Sequence, residues 1–496
     1  MPNRCAAMQS KLNSHSPISR RCMLQGPAVG LGSAALASLL STDGMLPQAC
    51  AAGGEVHGSR SRSTHFPGRA KSVIMLFQNG GPSQMDMFDP KPTLRHYDGK
   101  QHPEDVESFQ SGSEGDIVKG SPFKFAKHGD SAMDFSELVP HLARRADDLC
   151  MIRSMWCDNN NHPQGTRSML TGKIFLGRPT LGAWVSYGLG SENENLPAYI
   201  VLRDADGYNN GGTTLWTNGW LPAMHGGVEV QSKGDPVLNL KPAVDLPAGV
   251  QKTNLDLLAK LNEERRQRFP ADTRLEARIR HYELAARMQM AAAKTLDLSS
   301  ETGATQSMYG LDQAETEGFG RRCLMARRLV ESGVRFVMLT APIQNGGMPW
   351  DHHGSLDRDI PKISRQVDQP SAALIADLKQ RGLLDETMVI WTGEFGRLPT
   401  GQRGTGRDHN RFAYTTLVAG GGFKAGLTHG ATDDFGYKSV EDLVSAPDFL
   451  ATVLHQLGLN HDELYFSHAG RDETLTDSPV TDARVVGELL DNPVVV

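Results

Sequence analysis

Asp351, His352 and His353 stand together in NGGMPWDHHGSLDRD, residues 345–359, shortly after VRFVMLT, residues 334–340, which reads as a buried strand. Carboxylate and imidazole are ligand types that zinc and other borderline divalent ions select. A metal site at a strand end is therefore the first expectation, and a polar loop is the bland alternative. Other polar blocks also follow apolar runs. NGGPSQMDMFDPKP holds Asn79, Ser83, Asp86 and Asp89, and WCDNNNHPQGTRSMLTGK holds Asp158, Asn161, His162, Thr166 and Arg167. TGEFGRLP holds Glu394 and Arg397, and GTGRDHN holds Arg407, Asp408 and His409. One such residue in a loop is ordinarily a turn former or a cap. Recurrence at successive strand ends carries more weight, because a parallel sheet brings the carboxyl ends of its strands to one rim.

The elements that would position these blocks are legible as short apolar runs at 71–77, 149–155, 198–202, 334–340, 387–392 and 414–421, each ended by glycine or polar residues. Between them, 312–332 and 369–386 carry apolar residues three and four apart, with Gly382 as the stop of the second. Helix then strand, twice in succession, builds a parallel sheet covered on both faces. Two stretches interrupt the rhythm: a polar, loop-rich 96–134, and 174–318, where a Gly/Trp-rich segment and charged helices read as a cap or insertion.

A net charge of −6 over 496 residues, with both signs interspersed, gives no basic stripe for nucleic acid or anionic lipid. The first residues are of another kind. SRRCMLQ at 19–25, the weakly apolar GPAVGLGSAALASLL at 26–40 and Ala49-Cys50-Ala51 read as a twin-arginine signal peptide, residues 1–51, cleaved after Ala51. An amphipathic or buried first helix is the alternative. The expectation is a periplasmic or secreted protein, passed by the Tat translocon, with no stable transmembrane segment after cleavage. Residues 52–70 read as a flexible leader and 71–496 as the folded domain. Cleavage leaves Cys150, Cys157 and Cys323, an odd number without CxxC spacing, so buried free thiols are expected; a Cys150–Cys157 pair is the alternative.

Taken in order, GGPSxxDxFDPKP, HPxGTxxMLTG, WDxHG, GEFGRxP and GRDHN make the chain resemble the alkaline phosphatase, sulfatase and cofactor-independent phosphoglycerate mutase superfamily. More closely, it resembles an exported sulfatase-like family catalogued as domain of unknown function 1501, from about residue 71 to the C-terminal region. The resemblance implies an α/β fold, an alkaline-phosphatase-like three-layer α/β/α sandwich with a mostly parallel central sheet. It also implies one metal held by Asp351, His353 and His409 with an open coordination position, Asp408 lying beside them. A one-residue shift in register would exchange His353 with His352. For the superfamily's second metal, the matching positions depart. Asn79 or the more distant Asp86 stands near the first-strand ligand, and Glu394 followed by Phe395 replaces an Asp-His pair. His162 occupies the nucleophile slot, nine residues before Thr171.

A histidine at that slot could ligate metal, act as general base or form a phospho-imidazole; Thr166 could attack only in a shifted register, and Ser83 is a more distant candidate. One metal, two metals with altered ligands, metal-activated water without a covalent intermediate, and lost catalysis all stay open. Arg167, Arg397 and Arg407 suit an anionic oxygen cluster, or else they brace the loops through Asp408, Glu394 or Asp158. The expected activity is metal-dependent hydrolysis of a small-molecule or polysaccharide sulfate or phosphate ester. The expected cofactor is one or two divalent ions, zinc first, with calcium, magnesium and manganese as alternatives. The competing expectation is a non-catalytic carbohydrate-binding or scaffold protein that keeps one structural metal.

Overall fold

The computed structural model describes residues 62–109, 116–232, 249–268, 279 and 295–494, all within the unit Ser59–Val496; the expected signal peptide, residues 1–51, and residues 52–61 lie outside them. The apolar runs form the central strands: β1 (Ser72–Phe77), β2 (Leu149–Trp156), β3 (Tyr199–Leu202), β4 (Val228–Glu229), β5 (Phe336–Thr340) and β6 (Thr387–Thr392). A hairpin of β7 (Gly396–Gln402) and β8 (Gly406–Asn410) precedes β9 (Tyr414–Ala419) and β10 (Leu427–His429). The main sheet runs β10-β2-β9-β6-β1-β5-β3-β4. Every pairing along this order is parallel except those of β9, which is antiparallel to both neighbours. It comes back from β6 through a hairpin, without the crossover helix that a parallel return requires.

Every residue of β1, β5 and β6 is buried, which is why these strands read as continuous apolar runs and not as alternating ones. Their side chains still alternate between faces. Ile74, Leu76, Val337 and Leu339 pack with Leu324 and Leu374, from helices α3 (Glu317–Glu331) and α4 (Leu356–Gln380). Val73, Met75, Phe77, Phe336 and Met338 pack on the other face with Met169, Trp184 and Leu450. Those three come from α1 (His162–Thr171), α2 (Leu181–Leu189) and α5 (Ala446–Gln456). The result is a three-layer α/β/α sandwich with a mostly parallel sheet.

Four expectations change. The helix expected from residue 369 begins at Leu356 and runs through Pro361 and Pro370, because Leu356, Ile360, Ile363 and Val367 already form a buried stripe. In the stretch 174–318, α2, β3 and β4 belong to the sandwich itself, so they are not part of a cap. Residues 62–70 of the leader are tied down: the Arg62 amide donates to Leu189 O, and the Arg69 and Ala70 amides to Gln456 O. GRDHN and most of GEFGRLP, expected as loops after strands, form the hairpin. The three thiols are free and buried. Among the described residues no helix is long and apolar enough to cross a membrane.

Candidate metal centre

The rim above β1, β5, β6 and β2 gathers the side chains of the cluster from three segments. His162 is the first residue of α1, reached from β2 through a turn in which the Asn161 amide donates to Asn159 Oδ1. Asp351 and His353 follow β5. Trp350, fully buried, anchors that loop by donating from Nε1 to Gln78 Oε1 at 3.0 Å and packing on Trp391. His409 sits on β8, where a bulge between Arg407 and His409 re-aims the strand. Two glycines permit this closeness. A Cβ on Gly80 (φ +111) would meet the Asp351 amide at 2.7 Å, and one on Gly406 would meet the His353 carbonyl carbon at 2.1 Å. Gly406→Ala is accordingly expected to push His353 away and to weaken metal binding at least about ten-fold, read by a competition titration with a chromogenic chelator.

The donor atoms of His162, Asp351, His353 and His409 all lie within 4.8 Å of one another, and among the described residues this is the one group of its kind. The Nε2 atoms of His353, His409 and His162 stand 2.8, 3.1 and 3.3 Å from Asp351 Oδ1. Ligands about 2.1 Å from a tetrahedral ion are about 3.4 Å apart, so the cluster has the scale of a coordination shell. Each distal nitrogen is already fixed. His162 Nδ1 donates to Glu394 Oε1 at 2.6 Å, His409 Nδ1 to Asn160 O at 2.7 Å, and His353 Nδ1 to the side-chain oxygen of Gln402. With a hydrogen held on Nδ1, an imidazole in its neutral form turns a lone pair on Nε2 toward the shared centre, as metal-binding histidines do. Among the described residues, the buried Nε2 atoms of His162 and His353 find no hydrogen-bond partner, despite their nearness to Asp351. These residues fit a divalent cation.

Electrostatics agree. Burial opposes the charge of Asp351, yet the Arg397 guanidinium and the three imidazoles hold its carboxyl far below the usual range. Burial pushes His409 down to about 3, with Arg397 and His162 adding to the effect, so it stays neutral and able to ligate. Burial also disfavours protonated His162, but the carboxylates of Asp351 and Glu394 outweigh it and raise its pKa. A bound cation would supply the positive charge that a protonated His162 otherwise brings.

His353 enters the cluster and His352 does not. His352 is buried beside it, its carbonyl accepting from the Arg407 amide at 3.0 Å, and burial with Arg397 pushes its pKa down to about 4. Other expected ligands and catalytic groups lie elsewhere. Glu394 stands behind His162 and accepts the Gly80 amide at 2.8 Å; its Oε2 is buried without a hydrogen-bond partner. Asp86 lies away from the donors, locked to Arg407 at 2.8 Å and accepting from Ser83 at 2.6 Å. Asp408 accepts the amides of Phe109 (2.7 Å) and His409 (2.8 Å), shaping the strand that carries His409. Arg397 is fully buried and donates to Gly81 O, Gly80 O, Arg407 O and, at 2.7 Å, to Asp351 Oδ1. Thr166 lies one turn along α1 from His162, and Arg167 follows it with its Nε donating to Ile174 O.

Three contributors were not expected from the sequence in the roles they take. Phe109 stacks on His409 with ring centroids 5.2 Å apart, Phe395 packs against both His162 and His409, and Gln402 fixes His353. Only the glycines around Gln402, in TGQRGTG, hint at close backbone approach.

A family model described as "Protein of unknown function (DUF1501)" matches residues 70–490. The chain belongs to the DUF1501 family. No curated protein matches this DUF1501 chain. Among solved structures it is similar to the lipoteichoic acid synthase LtaP from Listeria monocytogenes, at 8% identity over 84% of this chain and 77% of that one, TM-score 0.34. It is similar to the PsFucS1 sulfatase from Pseudoalteromonas sp., at 13% identity over 79% and 68%, TM-score 0.33. A third is a 4S-sulfatase of glycosaminoglycan metabolism from Bacteroides thetaiotaomicron, at 12% identity over 86% and 78%, TM-score 0.38. These likenesses are distant, and the functional reading rests on this chain's own geometry.

Proposed function

We propose that this DUF1501 protein is a metal-dependent hydrolase of a sulfate or phosphate ester, working through one ion held by Asp351, His353 and His409. The observation that carries the reading is the convergence of three Nε2 atoms on Asp351 Oδ1, each imidazole braced through Nδ1 by its own acceptor. A divalent ion there, zinc being the best match to imidazole and carboxylate, would polarise an ester oxygen and acidify a water. His162 acts as the base. Glu394 holds its Nδ1 hydrogen, which leaves Nε2 directed into the site and makes the ring a better proton acceptor. Among the described residues no cysteine joins the clustered donors, and the attacking group in this reading is water. Arg397 keeps Asp351 ionised and oriented, so its part is positioning. Export through the twin-arginine route, to a periplasmic or secreted location, belongs to the same reading.

One observation favours a second reading. If His162 Nε2 is a fourth ligand, the protein donors complete a tetrahedron, and closed shells of that kind are structural. The chain would then be a binding or scaffold protein. Metal content of His162→Ala separates the two. As base, His162 is dispensable for the ion, so the variant keeps its metal and loses about 100-fold or more in turnover of aryl sulfate or aryl phosphate. As fourth ligand, it takes the ion with it. Glu394→Gln is expected to keep metal and to lower turnover roughly ten-fold, by weakening the acceptor at Nδ1.

A further inference from the structure

Of the three arginines expected near an oxyanion, two are committed elsewhere. The donors of Arg397 go to backbone carbonyls and Asp351; those of Arg407 go to both Asp86 oxygens and to Leu398 O and Pro399 O. Arg167 differs. Its Nε donates to Ile174 O at 2.7 Å, which fixes the side chain, and among the described residues no carboxylate pairs with its two terminal nitrogens. Partial burial with no compensating anion holds its pKa below the ordinary arginine value.

Arg167 lines a narrow cleft of about 20 Å³, walled by Pro163, Leu170 and Leu215 and carrying Thr166 and Asn210. Thr166 is only 4% exposed, and its hydroxyl has no hydrogen-bond partner among the described residues. Among the described residues the Asn210 side-chain amide donates just to the Met348 sulfur, at 3.3 Å, and a thioether is a weak acceptor. A guanidinium, a hydroxyl and an amide therefore bring unspent donors to one cleft. Pro163, Thr166, Arg167 and Leu170 recur at helical spacing along α1, the helix whose first residue is His162.

We infer that this cleft is a subsite for a tetrahedral oxyanion group, sulfate or phosphate in type. Pockets that enclose whole drug-sized ligands start near 300 Å³. The cleft, at about 20 Å³, is far below that and has room for a small charged group at its mouth but not for a sugar chain. An oxyanion would satisfy the free fork of Arg167 through charge-assisted bonds, with the Thr166 hydroxyl as a further donor. The subsite rests on the hydrolase reading only in making that anion part of a substrate; the binding chemistry stands alone.

The test is calorimetric titration of the purified full chain with inorganic sulfate and inorganic phosphate, with and without metal. Wild type is expected to bind at least one of them, and Arg167→Gln to bind it about ten-fold or more weakly, with Thr166→Val several-fold weaker. Metal content and unfolding midpoint should match wild type in both variants. Binding that survives metal removal and depends on Arg167 supports the subsite. Equal binding by wild type and Arg167→Gln, no binding by wild type, or binding that needs metal and ignores Arg167 each overturns it. His353→Ala protein that has lost its metal yet still binds anion through Arg167 would count against the hydrolase reading only if wild-type, metal-loaded protein also lacks turnover.

Discussion

His353→Ala and His409→Ala are each expected to lose the metal, with affinity falling at least about 100-fold, because changes to the mere outer partners of ligating histidines already cost 10–100-fold. Elemental analysis of protein purified from zinc-supplemented cells reads this directly. His352→Ala is the internal control. The adjacent ring is buried outside the cluster, so that variant should keep its ion. Metal addition should raise the unfolding midpoint of wild type and leave that of the two ligand variants unchanged, since an ion stabilises only the state that binds it. Full metal retention by both ligand variants would remove the basis of the proposed function and leave the fold untouched.

The second large effect concerns Arg407, whose side chain, like that of Asp86, is fully buried. Removing one partner of such a pair strands the other charge, and Arg407→Met is expected to cost about 3–5 kcal/mol in urea denaturation. Asp86→Leu combined with Arg407→Met should recover most of the loss, because apolar replacement of a whole buried pair is often neutral. The pH dependence gives an independent check. In wild type, burial alone would raise the Asp86 pKa, but Arg407 outweighs it and holds the carboxyl below its unfolded value. Its contribution is present above the unfolded pKa and is lost as pH falls through the folded one. In Arg407→Met the sign inverts. Asp86 becomes an unpaired buried acid with a raised pKa, so the variant loses stability as pH rises from about 4 toward 7. The gap to wild type should therefore be widest at neutral pH and narrow on acidification.

Sequence by itself determined the central strands, since residues buried on both faces of a parallel sheet must be apolar throughout, and 387–392 matches β6 end to end. It also determined which segments supply imidazole and carboxylate to the rim, because strand direction fixes which end of each run meets the others. The roles of the individual side chains lay beyond it. Glu394, Asp86 and Arg407 are chemically suited to a metal or an anion, and only packing shows that the first braces His162 while the other two neutralise each other. The choice of His353 over His352 depends on the contact of Gly406 with the backbone of residue 353 and on Gln402 across the hairpin. Those partners are some fifty residues away along the chain. Local periodicity records which face of an element is buried; it carries no information on which distant atom a polar group will meet. That meeting is decided when the loops close over the sheet and a buried donor or acceptor left without a partner carries a cost.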